Sequence, residues 1–365
     1  MKNTFGSAIS VTLFGESHGE AIGATVDGLP AGIRIDQNYI NSKLCQRKPR
    51  GKISTARVEA DELHIISGVF NGYTTGTPLT VIMVNENKNC ADYDSLLDVP
   101  RPSHADYTAS VKYRGYQDYR GGGHFSGRLT APLVAVGAIL SSALLAKGIM
   151  IGTHISRLMN VSDTGFLDYA SDIDRLSNMY FPTLSEEAAF DMQKLIEKAA
   201  AEGDSVGGVL ESCVIGMPVG VGEPWFDTVE GVLSHILFSV PAVKGVEFGA
   251  GFGFTDMYGS EANDPFVTDG EKISTKTNNN GGINGGITNG MPIIFRCAVK
   301  PTPSIFKAQE SVSLSRWENT TLKIKGRHDP AIIHRARAVI DAVTAIALSD
   351  LLTVKFGTDY LSEGV

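Results

Sequence analysis

Apolar and polar residues alternate over Ala8–Phe14 and again over roughly Ala21–Val26, the period of half-buried strands. The second run closes in the turn Asp27-Gly28-Leu29-Pro30. Asp36 then stands as the N-cap of a short helix reaching about Arg47. His64–Phe70 and Leu79–Asn85 read as further strands, and the acidic Ala91–Val99 as a loop. A different pattern follows. Ala131–Ala146 carries no charge and ends near Gly148, a glycine in the C′ manner. A second long apolar helix is expected from Asp329-Pro330, with Asp as N-cap and Pro at N1, to about Leu352. Its polar exceptions are His334, Arg335, Arg337 and Asp341. Helices apolar on every side belong inside a core. Between them, Leu158–Pro182 follows no clear pattern. Ser185, Glu186 and Glu187 open an amphipathic helix that ends at Gly203, and Val229–Ser239 and Ile293–Lys300 read as helix and strand.

The chain also echoes itself. Residues 15–33, GESHGEAIGATVDGLPAGI, align without a gap with residues 203–221, GDSVGGVLESCVIGMPVGV. Two related halves, about 1–184 and 185–365, are therefore expected to pack as one unit. The first copy carries His18 where the second carries Val206, so the turn itself needs no histidine and His18 is free to serve chemistry.

Candidate chemistry gathers between Arg101 and Thr130, which holds His104 and His124, four arginines and the run Gly121-Gly122-Gly123 ahead of an apolar helix. Glycines let backbone N–H groups approach a ligand, a helix start favours anions, and arginine binds phosphate and carboxylate in a fork. The stretch reads as an anion site; a capped loop, with Ser126 or Thr130 as cap, is the plainer alternative. Asn278–Gly290, NNNGGINGGITNG, is either a mobile loop or a backbone wrap for a flat ligand.

Composition narrows the function. A chain of 365 residues with 42% hydrophobic and 20% charged residues is an ordinary globular protein. A net charge of −8 argues against nucleic acid as a partner, yet Lys43–Arg57 holds six basic residues and no acid, a patch suited to a small anion. Cys45, Cys90, Cys213 and Cys297 lack metal-type spacing and read as free thiols; no metal set is found. Without a signal-peptide pattern or a clear membrane span, the cytoplasm is the expected compartment. The absence of GxxxxGK[ST] speaks against a phosphate-handling kinase.

In order, the chain carries FGESHG, RPSHADYT, YRGGG before a helix, PAVKGVE, NNxGGxxGG, KPTPS and KGRHDP. Together these resemble the chorismate synthase family over nearly the whole chain. The resemblance implies an α+β fold, a β-α-β sandwich with central apolar helices between β layers, assembled as a homotetramer. It implies anti 1,4-elimination of phosphate from 5-enolpyruvylshikimate 3-phosphate to give chorismate, with reduced FMN and no net redox change. NAD(P)H enters only if the protein reduces its own flavin. His18 would meet the substrate phosphate, His104 the flavin, and Asp329 the ring proton, with Ser17 and Ser126 relaying protons. Histidine suits such tasks because it titrates near neutrality. FMN would lie on His124, Phe125, Ser126, Pro241, Ala242, Gly285, Lys300, Pro301, Thr302, Pro303, Ser304 and Arg327. Arg47, Arg101, Arg128, Lys300 and Arg335 would hold the substrate anions.

The sequence departs from the family where RSSARET is usual: here it is HFSGRLT, residues 124–130, keeping Ser126, Arg128 and Thr130. That departure motivates one alternative, a non-catalytic flavin- or anion-binding descendant of the same fold. His64, His154, His235, His328 and His334 are expected to be ordinary core or surface residues.

Overall fold

The structure, a computed structural model, describes residues 2–51, 53–54, 61–86, 97–324 and 329–362. Two five-stranded antiparallel sheets enclose a layer of helices. The first sheet is built from Thr4–Phe5 (β1), Ser10–Gly15 (β2), Ala21–Asp27 (β3), His64–Ser67 (β4) and Leu79–Val84 (β5), in the order β1-β2-β3-β5-β4. The second contains Met150–Leu158 (β6), Val161–Ser162 (β7), Gly208–Ile215 (β8), Val243–Phe248 (β9) and Ile293–Val299 (β10), in the order β7-β6-β8-β10-β9. Alternation points Leu79, Val81 and Met83 of β5 inward, and Ile293, Phe295, Cys297 and Val299 of β10 likewise.

The helices follow the capping chemistry closely. Gln37–Arg47 (α1) starts where the Asp36 carboxylate accepts the N–H groups of Asn38 and Tyr39. Asp106–Tyr113 forms α2, Thr130–Ala146 α3, Tyr169–Ser177 α4, Glu186–Ala201 α5, Val229–Leu237 α6 and Ile333–Phe356 α7. Ser185 caps α5 through the Ala188 N–H, and Thr228 caps α6 through that of Gly231. One expectation needs correction: Asp329 does not cap α7, whose flanking residue is Ile332 with no side-chain cap, because the Asp329 carboxylate is engaged by Arg335.

α3 and α7 cross at the centre, α3 against the first sheet and α7 against the second, with α1 and α6 beside them. They approach closely because Gly137 has no side chain: a Cβ there would lie 2.4 Å from the Ala342 Cβ and 2.5 Å from its Cα. The segment Gly127–Ala146 is long and apolar enough to cross a membrane by length and composition, but here it is largely buried among the other elements. α7 also ties the chain's beginning to its end, since Asp350 accepts the backbone N–H groups of Ser7, Ala8 and Ile9. The fold is thus α+β, with apolar helices between β layers.

The topology repeats. In each sheet a strand pairs with the next, a helix follows, two further strands arrive with the later one inserted beside the second, and a core helix closes the unit: β2, β3, α1, β4, β5, α3 and then β6, β8, α6, β9, β10, α7. The aligned segments fall in equivalent places, on β3 and β8. The expected division near residue 185 falls between α4 and α5.

Candidate active site

The β2–β3 loop carries Ser17 and His18, both buried. Ser17 Oγ lies 3.0 Å from His18 Nδ1 and donates to the Arg120 carbonyl at 3.1 Å. The Ser17 N–H donates to the Gly123 carbonyl. Gly121, Gly122 and Gly123 all have positive φ (59°, 89° and 52°), which glycine alone adopts without strain. Space demands glycine too: a Cβ on Gly121 would sit 2.1 Å from His18 Cε1, and one on Gly122 would sit 3.3 Å from His104 Cε1. The glycine run therefore meets both histidines. Ser126 accepts the Arg128 N–H and opens the short turn that leads into α3.

His104 rests on a carboxylate that the sequence reading passed over. Its Nδ1 lies 2.6 Å from Asp106 Oδ1, and Arg101 grips the same carboxylate in a fork, both contacts at 2.8 Å. Burial alone would raise the Asp106 pKa, but Arg101 and His104 outweigh it and hold the carboxyl well below the usual carboxylate range. Arg101 thus orients Asp106 and, through it, His104.

The expected anion-binding arginines converge on a second missed acid. Asp61 receives Arg47 NH2 at 2.7 Å and also pairs with Arg128. Arg128 further donates to Asn85 Oδ1, while Asn85 Nδ2 donates to the Glu16 and Gly19 carbonyls. A continuous chain thus runs from Arg47 through Asp61, Arg128 and Asn85 to the loop that carries His18. Two guanidinium groups thus meet at one buried carboxylate.

Lys300, at the end of β10, reaches the Ser103 carbonyl beside His104 at 2.6 Å. Burial and nearby Lys244 push its pKa below the usual lysine value. Its backbone N–H donates to Ala242, a non-glycine residue at φ 76°, which brings Pro241-Ala242 to the same edge. The segment that follows, from Pro301 through Thr302 and Pro303 to Ser304, is held by Ser205 Oγ, which donates to the Thr302 carbonyl. Asp329 pairs with Arg335 at 2.5 Å, and the adjoining Pro330 carbonyl accepts the Val206 N–H. Phe125 is exposed and meets the Tyr113 ring edge-on, while His124 Nδ1 lies 2.8 Å from the Gly15 carbonyl.

The structure therefore brings Ser17, His18, His104 and Ser126 around one glycine run, links Arg47 and Arg128 to it, and sets Lys300 beside it. Gly285 belongs instead to a hairpin fastened to the start of α6, where the Gly286 carbonyl accepts the Val229 N–H. Arg327 lies outside the described residues. The signal for Asp61 and Asp106 was available in principle, since buried arginines require counter-charges.

An α+β sandwich that gathers histidines, a glycine run and carboxylate-held arginines at one edge of its core helices defines the class, an enzyme with acid–base groups beside cationic ones. The chorismate synthase family model matches residues 9–353. A chorismate synthase from Thermococcus gammatolerans is 46% identical over 348 residues, covering 95% of this chain and 96% of the relative. One from Dehalococcoides mccartyi is 45% identical over 355 residues, covering 96% of each. A crystal structure of a chorismate synthase superposes with a TM-score of 0.74 at 27% identity, covering 96% of this chain and 94% of the other. The chain belongs to the chorismate synthase family.

Proposed function

We propose that this protein converts 5-enolpyruvylshikimate 3-phosphate to chorismate and phosphate by anti 1,4-elimination, using reduced FMN, in the shikimate pathway. The observation that carries the reading is the meeting of His18 and His104 at Gly121-Gly122, beside the arginine cluster on Asp61.

His18, with Ser17 at its Nδ1, is placed to give a proton to the departing phosphate or to offset its charge. His104, held by the Asp106–Arg101 pair, keeps a proton available on the cofactor side. Asp329, paired with Arg335, is the base for the ring proton. Arg47 and Arg128, on Asp61, and Lys300 draw the phosphate and the two carboxylates of the substrate, and in a desolvated site they stabilise charge as phosphate leaves.

The residues present fit a flavin. Among the described residues Thr302 Oγ1 is buried without a hydrogen-bond partner, the Phe125 ring is exposed beside Ser126, and Lys300 lies next to His104. His124–Ser126, Pro241-Ala242, Lys300–Ser304 and Arg327 are the groups proposed to hold it. When bound, reduced FMN supplies transient electron density while the C–O bond to phosphate breaks, with no net redox change. The homotetramer and the cytoplasmic location belong to this same reading.

The test is an anaerobic assay with 5-enolpyruvylshikimate 3-phosphate and dithionite-reduced FMN, following chorismate absorbance. Chorismate that forms only with reduced flavin supports the proposal. Binding of both molecules without product overturns it in favour of a non-catalytic descendant and turns attention to His124, Phe125 and Leu129. Replacing dithionite with NADPH then asks whether the protein reduces its own flavin.

A further inference from the structure

Lys43 belongs to the basic patch of the sequence but not to the cluster at Asp61. It lies one turn before Arg47 on α1, with its ammonium over the Tyr39 ring at 5.1 Å. There it lines a partly open cavity of about 360 Å³ between α1, α3, α4, α7 and the start of β6. Small-molecule sites begin at roughly this size, ~300 Å³. Most of the wall is apolar, including Val134, Ala138 and Ile173.

Three charged residues line it, Lys43, Asp341 and the exposed Asp174, and the first two are left incomplete. Asp341 is 8% exposed and lines the cavity; its Oδ2 pairs with Arg337 at 3.3 Å, but its Oδ1 is buried with no hydrogen-bond partner among the described residues. Lys43 has no hydrogen-bond or ion-pair partner among the described residues. The two groups feel each other without touching: burial lowers the Lys43 pKa and Asp341 opposes that shift, while burial and Asp341 together push the Tyr39 hydroxyl up to about 12. A buried acceptor without a donor, and a cation without an acceptor, each carry a cost that an occupant can remove.

An occupant that satisfies both must donate to Asp341, accept from Lys43 and fill an apolar chamber. We propose that the cavity binds a free α-amino acid with an apolar side chain. Its ammonium donates to the Asp341 carboxylate, its carboxylate accepts from Lys43, and its side chain packs on Val134, Ala138 and Ile173. A polyphosphorylated ligand does not fit, because Asp341 faces the same space as Lys43.

The test is titration calorimetry on the full chain, without flavin or substrate, so that its outcome is independent of the reading of the active site. L-Phenylalanine and L-leucine are the probes; phenylalaninamide lacks the carboxylate and N-acetylphenylalanine lacks the ammonium. Saturable binding of at least one amino acid at one per chain is expected, weakened about tenfold or more in both derivatives, the size of effect for a lost buried polar partner. Lys43→Met, which keeps the apolar stem, should weaken binding to a similar degree without lowering the unfolding midpoint. Asp341→Asn supplies a second variant that retains the shape and removes the charge. Absence of saturable binding by either amino acid, or binding that the amide, the acetyl group and Lys43→Met all leave unchanged, overturns the proposal.

Discussion

The turn at Glu16–Gly19 and the turn at Asp204–Gly207 occupy equivalent places, each running into the second strand of its sheet, yet they are used differently. In the first, Ser17 and His18 turn toward the glycine run, and Asn85 pins the loop through the Glu16 and Gly19 carbonyls. In the second, Ser205 and Val206 turn toward their own chain, Ser205 holding the Thr302 carbonyl and Val206 that of Pro330. One copy presents a titratable side chain; the other anchors the segments that precede and begin the second core helix. A shared backbone device thus leaves its side chains free to diverge.

The sharpest way to break this comparison is to exchange the burdens. His18→Ala should lower kcat by about 10²–10⁴-fold, the range for a lost general acid or base, with little change in unfolding midpoint. Val206→Ala should keep activity while losing about 1–3 kcal/mol of stability, as for other buried aliphatic truncations. The reverse ranking in chorismate formation would remove the division of labour. Glycines offer the next contrast. Gly121→Ala places a methyl against the His18 ring and should depress activity about tenfold or more, because even small displacements of catalytic groups are costly. Gly203→Ala, also at positive φ but facing Phe306, should cost stability alone; steady-state kinetics and urea melts on both variants separate the two effects.

Two predictions concern pH. The folded state depresses the Asp106 pKa, so its contribution is present above the unfolded carboxyl value of about 3.9 and is lost as pH falls through the folded one. Asp106→Asn should therefore destabilise the protein at neutral pH by an amount that shrinks in strong acid; an equal loss at every pH would count against the Arg101–Asp106–His104 arrangement. The second concerns His334, buried at the start of α7, where burial first and Arg335 second lower its pKa to about 3. The unfolded chain then binds the extra proton, so His334 costs stability as pH falls from about 6.5 toward the folded value, with a slope of at most ~1.4 kcal/mol per pH unit. His334→Gln should flatten that slope in urea melts taken between these limits.

These contrasts also show how far local pattern reaches. The caps at Asp36 and Ser185, the apolar α3 with its close at Gly148, and the equivalence of the two turns were all legible, because each depends on neighbours in the chain. Met150–Leu158 was not recognised as a strand, although it is the first strand of the second unit. Its buried Thr153 and His154 blur the alternation, and their partners Ser212, Asp163 and Glu211 come from elsewhere. Asp329 matched a helix-capping pattern, but Arg335 competes for its carboxylate and α7 begins later. Lys43 was grouped with Arg47 by proximity in sequence, whereas packing sends the two into different surroundings.

By itself the sequence determined the apolar core helices, the alternating strands, the glycine run and the inventory of histidines and arginines, since periodicity and residue chemistry are local properties. Only the tertiary structure decided which carboxylate each buried arginine holds: Asp61 for Arg47 and Arg128, Asp106 for Arg101, Asp329 for Arg335. Those pairings answer the need to neutralise charge removed from water, and that need is met by whichever acid the fold brings near, at a separation in sequence that no local pattern encodes.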